Sequence, residues 1–287
     1  MCIPVDLKYA SMLIKGKKDR IIYKDTMVTH RLKKGMISMS KIIKIIKKTK
    51  SLLGLLRKKK PKELPKDMDP EFREVYYACN EYTMTPLERM YALYKAVEHI
   101  VQKKIPGDLV ECGVWKGGSG MIMAHTLLKM NEKNRKIYLY DTFQGNSIPD
   151  QRDRRISDNK PAEDIMANNK VDNKWCFSPL EEVKKNMFST GYLGKNIVFV
   201  KGKVEDTLLV TKPQKIALLR LDTNWFASTH AELKHLFPLL SPGGILLIDD
   251  YGYWQGAKEA VDNYFKENKI SILLNRIDHT GRIGIKT

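Results

Sequence analysis

Three carboxylates stand directly after two apolar segments in the second half of the chain. Asp222 follows the segment 217–221, and Asp249 and Asp250 follow the segment 244–248. If the two segments are neighbouring strands, about 4.8 Å apart, the three side chains converge at one edge of a sheet. A divalent cation with oxygen ligands would relieve their mutual repulsion. The pattern therefore predicts a Mg²⁺ site. The alternative is that Asp222 caps a loop and one of the other two acids pairs with a lysine.

A glycine-rich turn follows an earlier apolar segment and indicates a cofactor site. Residues 111–120 read ECGVWKGGSG, and Asp141 ends the next apolar segment. Glycines allow a sharp turn and close approach to a ligand, and the helix that follows offers free N–H groups. Asp141 is placed to accept hydrogen bonds from ribose hydroxyls. The GxGxxG fingerprint of dinucleotide sites fails because Met123 takes the third glycine position. The Glu-x-Gly-x-x-x-Gly pattern favours S-adenosylmethionine over NAD.

The elements that must position these residues alternate along the chain between short apolar runs and helical patterns. This alternation predicts a doubly wound, mostly parallel α/β sheet that closes with an antiparallel C-terminal hairpin. Capping boxes at Thr85-Pro86-Leu87-Glu88 and Ser178-Pro179-Leu180-Glu181 predict two helix starts. The predicted strands are Leu109–Val114, Ile137–Asp141, Ile197–Gly202, Ala217–Asp222, Gly244–Asp250 and the hairpin Ser271–Ile277 with Arg282–Lys286; the other predicted helices are Gly118–Lys129, Ser228–Leu239 and Gln255–Asn268.

The positive charge of the chain is confined to its first part. Residues 1–66 carry 20 Lys and Arg against 4 Asp and Glu, whereas the remaining residues carry 31 and 29. We therefore divide the chain into a basic arm, 1–66, and a catalytic domain, 67–287. The spacing of apolar residues in the arm predicts an amphipathic helix with lysines on one face. The opposite, apolar face consists of Ile42, Ile45, Ile46, Leu52, Leu53 and Leu56. Such a helix can lie on an anionic membrane, or it can dock on the protein itself or on a second subunit.

Composition excludes several classes of protein. No apolar run of 18 residues and no apolar N-terminal stretch are present, so we expect a cytoplasmic protein, with the arm as its only candidate for contact with the inner face of the membrane. The four cysteines form no CxxC pair, and the six histidines lack ligand spacing, which argues against zinc. The arm contains only Tyr9 and Tyr23 as aromatic residues, which disfavours specific binding of nucleic acid.

The motifs taken together resemble one known family. The segments VECGVWKGG (110–118), DTFQG (141–145), LRLD (219–222), AST (227–229), and LSPGG (240–244) with DDY (249–251) are similar to those of the macrocin O-methyltransferase (TylF/MycF) family. The similarity runs from about Thr85 to the C-terminus and leaves the arm outside. It implies a class I, Rossmann-like methyltransferase fold, S-adenosylmethionine as donor, and Mg²⁺-dependent methyl transfer to a sugar hydroxyl of a glycoside, glycolipid or polysaccharide.

The resemblance also implies roles for single residues. By position, Glu111, Gly113 and Ser119 hold the methionine portion and the backbone loop, and Asp141 holds the ribose. Asp222, Asp249 and Asp250 are the implied metal ligands, and Asp222 is our candidate for accepting the proton, with His230 a weaker one. The sequence departs from the family at Thr223-Asn224, where many members have Gly-Asp.

Two other functions stay open at this point, as does the role of one long connection. The first is methylation of a catechol-like or phenolic acceptor, although the lysine base of catechol enzymes is absent. The second, from a different class, is RNA binding through the basic arm.

Residues 144–177 form a long connection between the second strand and the next helix. This connection is either a lid, with Trp175 or Phe177 stacking on a sugar, or a surface insertion.

Overall fold

The structure is a computed structural model that describes residues 64–168 and 176–287. The chain divides into two units, 1–63 and 64–287. The predicted arm helix and Trp175 lie outside the described residues. Among the described residues, none of the helices combines the length and the apolar character needed to cross a membrane.

One seven-stranded sheet organises the unit 64–287 in the order β3-β2-β1-β4-β5-β7-β6. Strands β1 to β5 are parallel, and β7 runs antiparallel to both β5 and β6. This confirms the predicted fold class, including the closing hairpin. The strands are β1 Asp108–Cys112, β2 Ile137–Asp141, β3 Ile197–Lys201, β4 Ile216–Leu221, β5 Leu240–Ile248, β6 Asn275–Arg276 and β7 Arg282–Ile285.

Helices cover both faces of the sheet. They are α1 Phe72–Cys79, α2 Leu87–Gln102, α3 Gly118–Lys129, α4 Ala162–Asn168, α5 Leu180–Ser189, α6 Val204–Thr207, α7 Phe226–Leu236 and α8 Gln255–Glu267. Helix α7 ends before the predicted Leu239 because residues 237–239, with Pro238 among them, form a 3₁₀ turn.

The two predicted capping boxes are wrong in their detail. Helices α2 and α5 begin where expected, but Pro86 and Pro179 occupy the N-cap positions, and no side chain caps either helix. Thr85 instead shares a hydrogen bond with Thr83, Oγ1 to Oγ1, at 2.9 Å. A proline at the N-cap has no side-chain oxygen that could accept a helical N–H, so the capping interaction is lost.

The core lies on both sides of the sheet, as expected for central parallel strands. Alternate residues of each strand face opposite sides, so Leu109 and Leu139 pack with α1, α2, α3 and α5, while Val110 and Tyr140 pack with α6, α7 and α8. Apolar packing therefore fills the strand interiors, apart from the buried Glu111 on β1 and Arg220 on β4. The carboxyl ends of β1, β2, β4 and β5 carry the predicted functional residues, beside the point where the strand order reverses between β1 and β4.

Candidate functional site

The glycine turn after β1 passes directly against the end of β4. Gly113 has a φ of +84°, and its N–H donates to the Tyr140 carbonyl at 2.8 Å. A Cβ at this position would collide with the backbone carbonyl of Asp222. Both the backbone conformation and the lack of space therefore require glycine here. The turn brings the start of α3 and the end of β4 to one place.

Asp141 lies at the end of β2 and anchors this turn. Its Oδ2 accepts hydrogen bonds from the N–H groups of Val114 at 2.7 Å and Trp115 at 3.2 Å, and its Oδ1 accepts from Phe143 N–H at 2.7 Å. Burial raises the pKa of Asp141, and these N–H groups oppose the rise. The ribose contact predicted for Asp141 stays a prediction. The structural role in holding the turn was not expected.

Two cavities open at the carboxyl edge of the sheet. The β2-side cavity is lined by residues at the ends of β1 to β4, among them Gly113, Asp141, Thr142, Gly202, Glu205 and Ser228. The β5-side cavity has a volume of about 340 Å³ and is lined by residues that include Glu111, Trp115, Ser119, Asp249, Asp250 and Trp254. Asp222 belongs to the lining of both cavities. It therefore stands where a ligand in one cavity would meet a ligand in the other.

A buried arginine on β4 connects the acids at the strand ends. Nη1 of Arg220 lies 2.7 Å from Oε1 of Glu111 and 2.8 Å from Oδ2 of Asp222, and its Nη2 lies 2.8 Å from Oδ1 of Asp249. Arg89, from α2, donates to the other oxygen of Asp249. Sequence reasoning missed both arginines, although a charged residue inside the apolar run of β4 was a visible signal.

Burial disfavours the ionised form of several carboxyl groups in this cluster. Burial raises the pKa of Asp222 to about 7, although Arg220 opposes the rise, and burial likewise raises the pKa of Glu111 to about 8. The pKa of Asp250 is raised by burial and by the negative charges of Asp222 and Asp249. Two guanidinium groups therefore do not offset the four carboxylates around them.

The predicted metal ligands lie together, but they are not arranged as a ligand set. Within residues 64–168 and 176–287, no three acidic, histidine or cysteine side chains are grouped closely enough to hold a metal ion. The charge balance nevertheless suits Mg²⁺. Among the described residues, four carboxylates, including Asp250, face two guanidiniums, and one of these, that of Arg89, also pairs with Asp278. A divalent cation with oxygen ligands would offset this excess of negative charge. The Mg²⁺ site thus fits the residues and stays a prediction.

The residues around the glycine turn also suit the donor. Oε2 of Glu111 is buried and has no hydrogen-bond partner among the described residues. Glu111 and Ser119 line the same cavity. A buried acceptor of this kind normally has a partner, and the ammonium group of a methionine moiety would provide one.

Aromatic and amide side chains around Asp222 were not predicted. Oδ1 of Asn224 accepts a hydrogen bond from Trp254 Nε1 at 3.1 Å, and Trp115 and Tyr253 line the same cavity as Trp254. Asn224 and Trp115 have φ values of +72° and +47°. Such backbone conformations are costly away from glycine and cluster at functional sites.

Phe177 and His230, which were also considered from the sequence, do not line either of the two cavities. Among the described residues that line the cavities, neither Phe177 nor His230 is present. His230 stacks on Phe226 with 5.7 Å between ring centroids. Cys176, next to Phe177, does line the β5-side cavity. The secondary role considered for His230 therefore has no geometric support.

Comparison with known proteins decides the family. The model of the family described as Macrocin-O-methyltransferase (TylF) matches residues 24–283. The chain belongs to the macrocin O-methyltransferase family. It is accordingly an S-adenosylmethionine-dependent O-methyltransferase, as the sequence resemblance implied. The match begins at residue 24, so the family resemblance extends into the basic arm, further than the sequence analysis placed it.

Relatives within the macrocin O-methyltransferase family cover most of the catalytic unit. The 8-demethyl-8-(2,3-dimethoxy-alpha-L-rhamnosyl)-tetracenomycin-C 4'-O-methyltransferase of Streptomyces olivaceus is 33% identical over 215 residues, 75% of this chain and 79% of that protein. The mycinamicin III 3''-O-methyltransferase of Micromonospora griseorubida is 31% identical over 207 residues, 71% and 78% of the two chains. The structure of the O-methyltransferase NovP matches with a TM-score of 0.62 and 30% identity, over 72% of this chain and 82% of that one.

Proposed function

We propose that this macrocin O-methyltransferase family member methylates a sugar hydroxyl of a glycoside, glycolipid or polysaccharide, with Mg²⁺ held by Asp222, Asp249 and Asp250. The observation that carries the proposal is the position of Asp222 in the lining of both cavities. A donor that extends along the turn after β1, from Asp141 in one cavity to Glu111 in the other, and an acceptor beside Asp249 and Asp250 would meet at this carboxylate. The named relative from Streptomyces olivaceus acts on a rhamnosyl-bearing compound, which supports a sugar acceptor.

The donor side is formed by the ends of β1 and β2. Gly113 lets the backbone come close to the ligand, Asp141 accepts from the ribose hydroxyls, and Glu111 with Ser119 holds the methionine portion. S-adenosylmethionine, when bound, supplies a methyl group that its positively charged sulfur already activates. The protein then needs to hold the acceptor oxygen in line with that methyl group, because positioning supplies a large part of the rate.

Asp222 is the proposed acceptor of the proton from the sugar hydroxyl. A sugar hydroxyl is a poor nucleophile at neutral pH, and a bound Mg²⁺ would supply the positive charge that lowers its pKa. Burial raises the pKa of Asp222 to about 7 without a cation, and a bound Mg²⁺ would lower it. The proposed role as base therefore rests on the position of Asp222 in the lining of both cavities. Asn224 lies close by, but its amide is not a base, and its oxygen already accepts from Trp254.

The acceptor side is formed by aromatic residues. Trp115, Tyr253 and Trp254 line the β5-side cavity together with Asp249 and Asp250. The C–H face of a sugar ring packs on aromatic rings while its hydroxyls reach the carboxylates, so this lining combines the two surfaces that a sugar needs. Ring packing on this wall also excludes water from the reacting atoms.

Metal removal is the experiment that tests the proposal. Transfer of a radiolabelled methyl group from S-adenosylmethionine to methyl α-L-rhamnoside, to a lipid-linked rhamnoside and to catechol is measured before and after EDTA treatment. We expect transfer to a sugar, its loss with EDTA and its recovery with Mg²⁺. Calorimetry provides the control, since S-adenosylmethionine affinity should hardly change with EDTA. Full activity of the chelated enzyme contradicts the metal role, and transfer to catechol alone contradicts the sugar acceptor.

A further inference from the structure

Both oxygens of Asp249 are already engaged by arginines. Nη2 of Arg220 lies 2.8 Å from Oδ1, and Nη1 of Arg89 donates to Oδ2. Asp249 is 6% exposed, so solvent does not compete for these contacts. A cation that used Asp249 as a ligand would therefore compete with an arginine for one of these two oxygens.

The two arginines differ in their exposure and in their other carboxylate partners. Arg220 belongs to β4 itself, is 3% exposed, and contacts three carboxylates of the cluster at once. Arg89 reaches the cluster from α2, and its side chain is 15% exposed. Arg89 also has a second carboxylate partner, Asp278, outside the cluster, with Nε to Oδ2 at 2.9 Å. On leaving Asp249, Arg220 would keep only partners inside the acid cluster, whereas Arg89 would keep a carboxylate partner outside it.

Asp278 is fixed in place by the turn of the C-terminal hairpin. Its Oδ1 accepts hydrogen bonds from the N–H groups of Thr280 at 2.8 Å and Gly281 at 2.6 Å. Oδ2 lies 2.9 Å from Arg89 Nε as an ion pair without hydrogen-bond geometry, and neither atom has a hydrogen-bond partner among the described residues. The hairpin turn therefore holds this carboxylate through contacts that do not involve the acid cluster.

From these contacts we propose that Arg89 competes with the divalent cation for Asp249, and that Asp278 holds the Arg89 side chain when the cation takes the Asp249 oxygen. Arg89 is thus a positioning residue that sets the affinity of the metal site. The inference rests on the proposed function, because it presupposes a divalent cation at Asp222, Asp249 and Asp250.

Two substitutions on either side of this contact should act in opposite directions. Arg89→Met keeps the length of the side chain and removes the competing charge, so the affinity for Mg²⁺ should rise about tenfold. Asp278→Asn keeps an oxygen for the turn hydrogen bonds and removes the charge that draws Arg89 away. Arg89 is then held more firmly at Asp249, and Mg²⁺ affinity should fall by several-fold. A purely structural role would weaken binding in both variants.

The measurement is calorimetric titration of the full-length protein with Mg²⁺, with no methyl donor or acceptor present. Lys95→Met is the matched control, because Lys95 lies on the same helix and pairs with Asp69 at 2.8 Å, away from the cluster. Its Mg²⁺ affinity should stay within about twofold of the unaltered protein. Thermal unfolding of each variant separates loss of folding from loss of metal, and Asp278→Asn tests the proposal even if Arg89→Met fails to fold.

The outcomes distinguish failure of the competition by Arg89 from failure of the Mg²⁺ site itself. Opposite shifts for Arg89→Met and Asp278→Asn support the competition. If the unaltered protein binds Mg²⁺ and Arg89→Met leaves the affinity unchanged or lowers it, the competition is overturned while the metal site stands. If the unaltered protein binds no Mg²⁺, the metal part of the proposed function fails and the competition fails with it.

Discussion

A single carboxylate, Asp222, lines both cavities and is the proposed acceptor of the proton. Asp222→Asn keeps the shape of the side chain and removes the proposed base, so turnover should fall by about 10²- to 10⁴-fold. S-adenosylmethionine affinity should change little, because in the proposed function the donor is held mainly at the ends of β1 and β2. Methyl-transfer kinetics and calorimetry measure the two quantities, with Asp206→Asn in α6 as a control outside both cavity linings. An Asp222→Asn enzyme with full turnover contradicts the role of this residue.

A second buried acid, Glu232 in α7, should affect stability and its dependence on pH. Glu232 is fully buried, its Oε1 accepts from Thr223 Oγ1 at 2.8 Å, and burial raises its pKa well above the usual value. A raised carboxyl pKa in the folded state means that stability is lost as pH rises above the pKa of the unfolded chain. Glu232→Gln keeps the acceptor for Thr223 and stays neutral.

Thermal unfolding at two pH values measures this effect of Glu232. At pH 4 the Tm of Glu232→Gln should match that of the unaltered protein, because Glu232 is then mostly protonated in both states. At pH 8 the Tm of the variant should be higher, since ionisation no longer favours the unfolded chain. Equal Tm values at pH 8 would show that burial does not hold this carboxyl neutral.

At the scale of elements, the turn between β1 and α3 depends on how closely it approaches β4. Gly113 and Gly191 both have positive φ, +84° and +77°, but only a Cβ at Gly113 would meet backbone atoms, those of Asp222. Gly191→Ala should cost about 1–2 kcal/mol, the cost of the left-handed conformation alone. Gly113→Ala should cost several times more and weaken S-adenosylmethionine binding. Urea unfolding and calorimetry compare them, and equal costs would show that the approach to β4 is not limiting.

At the scale of the whole molecule, the basic arm and the catalytic unit should be separable. The described core, both cavities and the acid cluster are built from residues 64–287. We propose that the arm brings a cytoplasmic enzyme to an anionic membrane surface, because 20 of the 51 basic residues lie in residues 1–66. Deletion of residues 1–63 should abolish binding to phosphatidylserine vesicles and leave Tm and methyl transfer to a water-soluble rhamnoside nearly unchanged.

The alternatives for the arm predict different results from the same truncated protein. Unfolding on deletion would show that the arm docks on the catalytic unit. A change from dimer to monomer in light scattering would show that it contacts a second subunit. Salt-dependent retention of RNA by the full chain, lost on deletion, would support nucleic-acid binding instead.

Local patterns in the sequence are enough to predict the sheet and the edge at which the candidate site lies. The apolar runs before Asp141, Asp222 and Asp249 predict buried strands, and parallel strands place their carboxyl ends at one edge. The glycine turn was equally visible, because Gly113 marks a backbone position that other residues tolerate poorly. These are local patterns, and each depends on residues within one or two elements.

Which charges meet at that edge depends on the packing of elements that are distant in the chain. The sequence predicted three acids in need of a cation, but packing of α2 against the sheet brings Arg89 to Asp249, 160 residues further along the chain. Strand pairing places Arg220 between Glu111 on β1 and Asp249, which directly follows β5. Hydrophobic periodicity shows which side of a helix or strand is buried. The partner of a charged side chain depends on how distant elements pack together, and no local pattern contains that information.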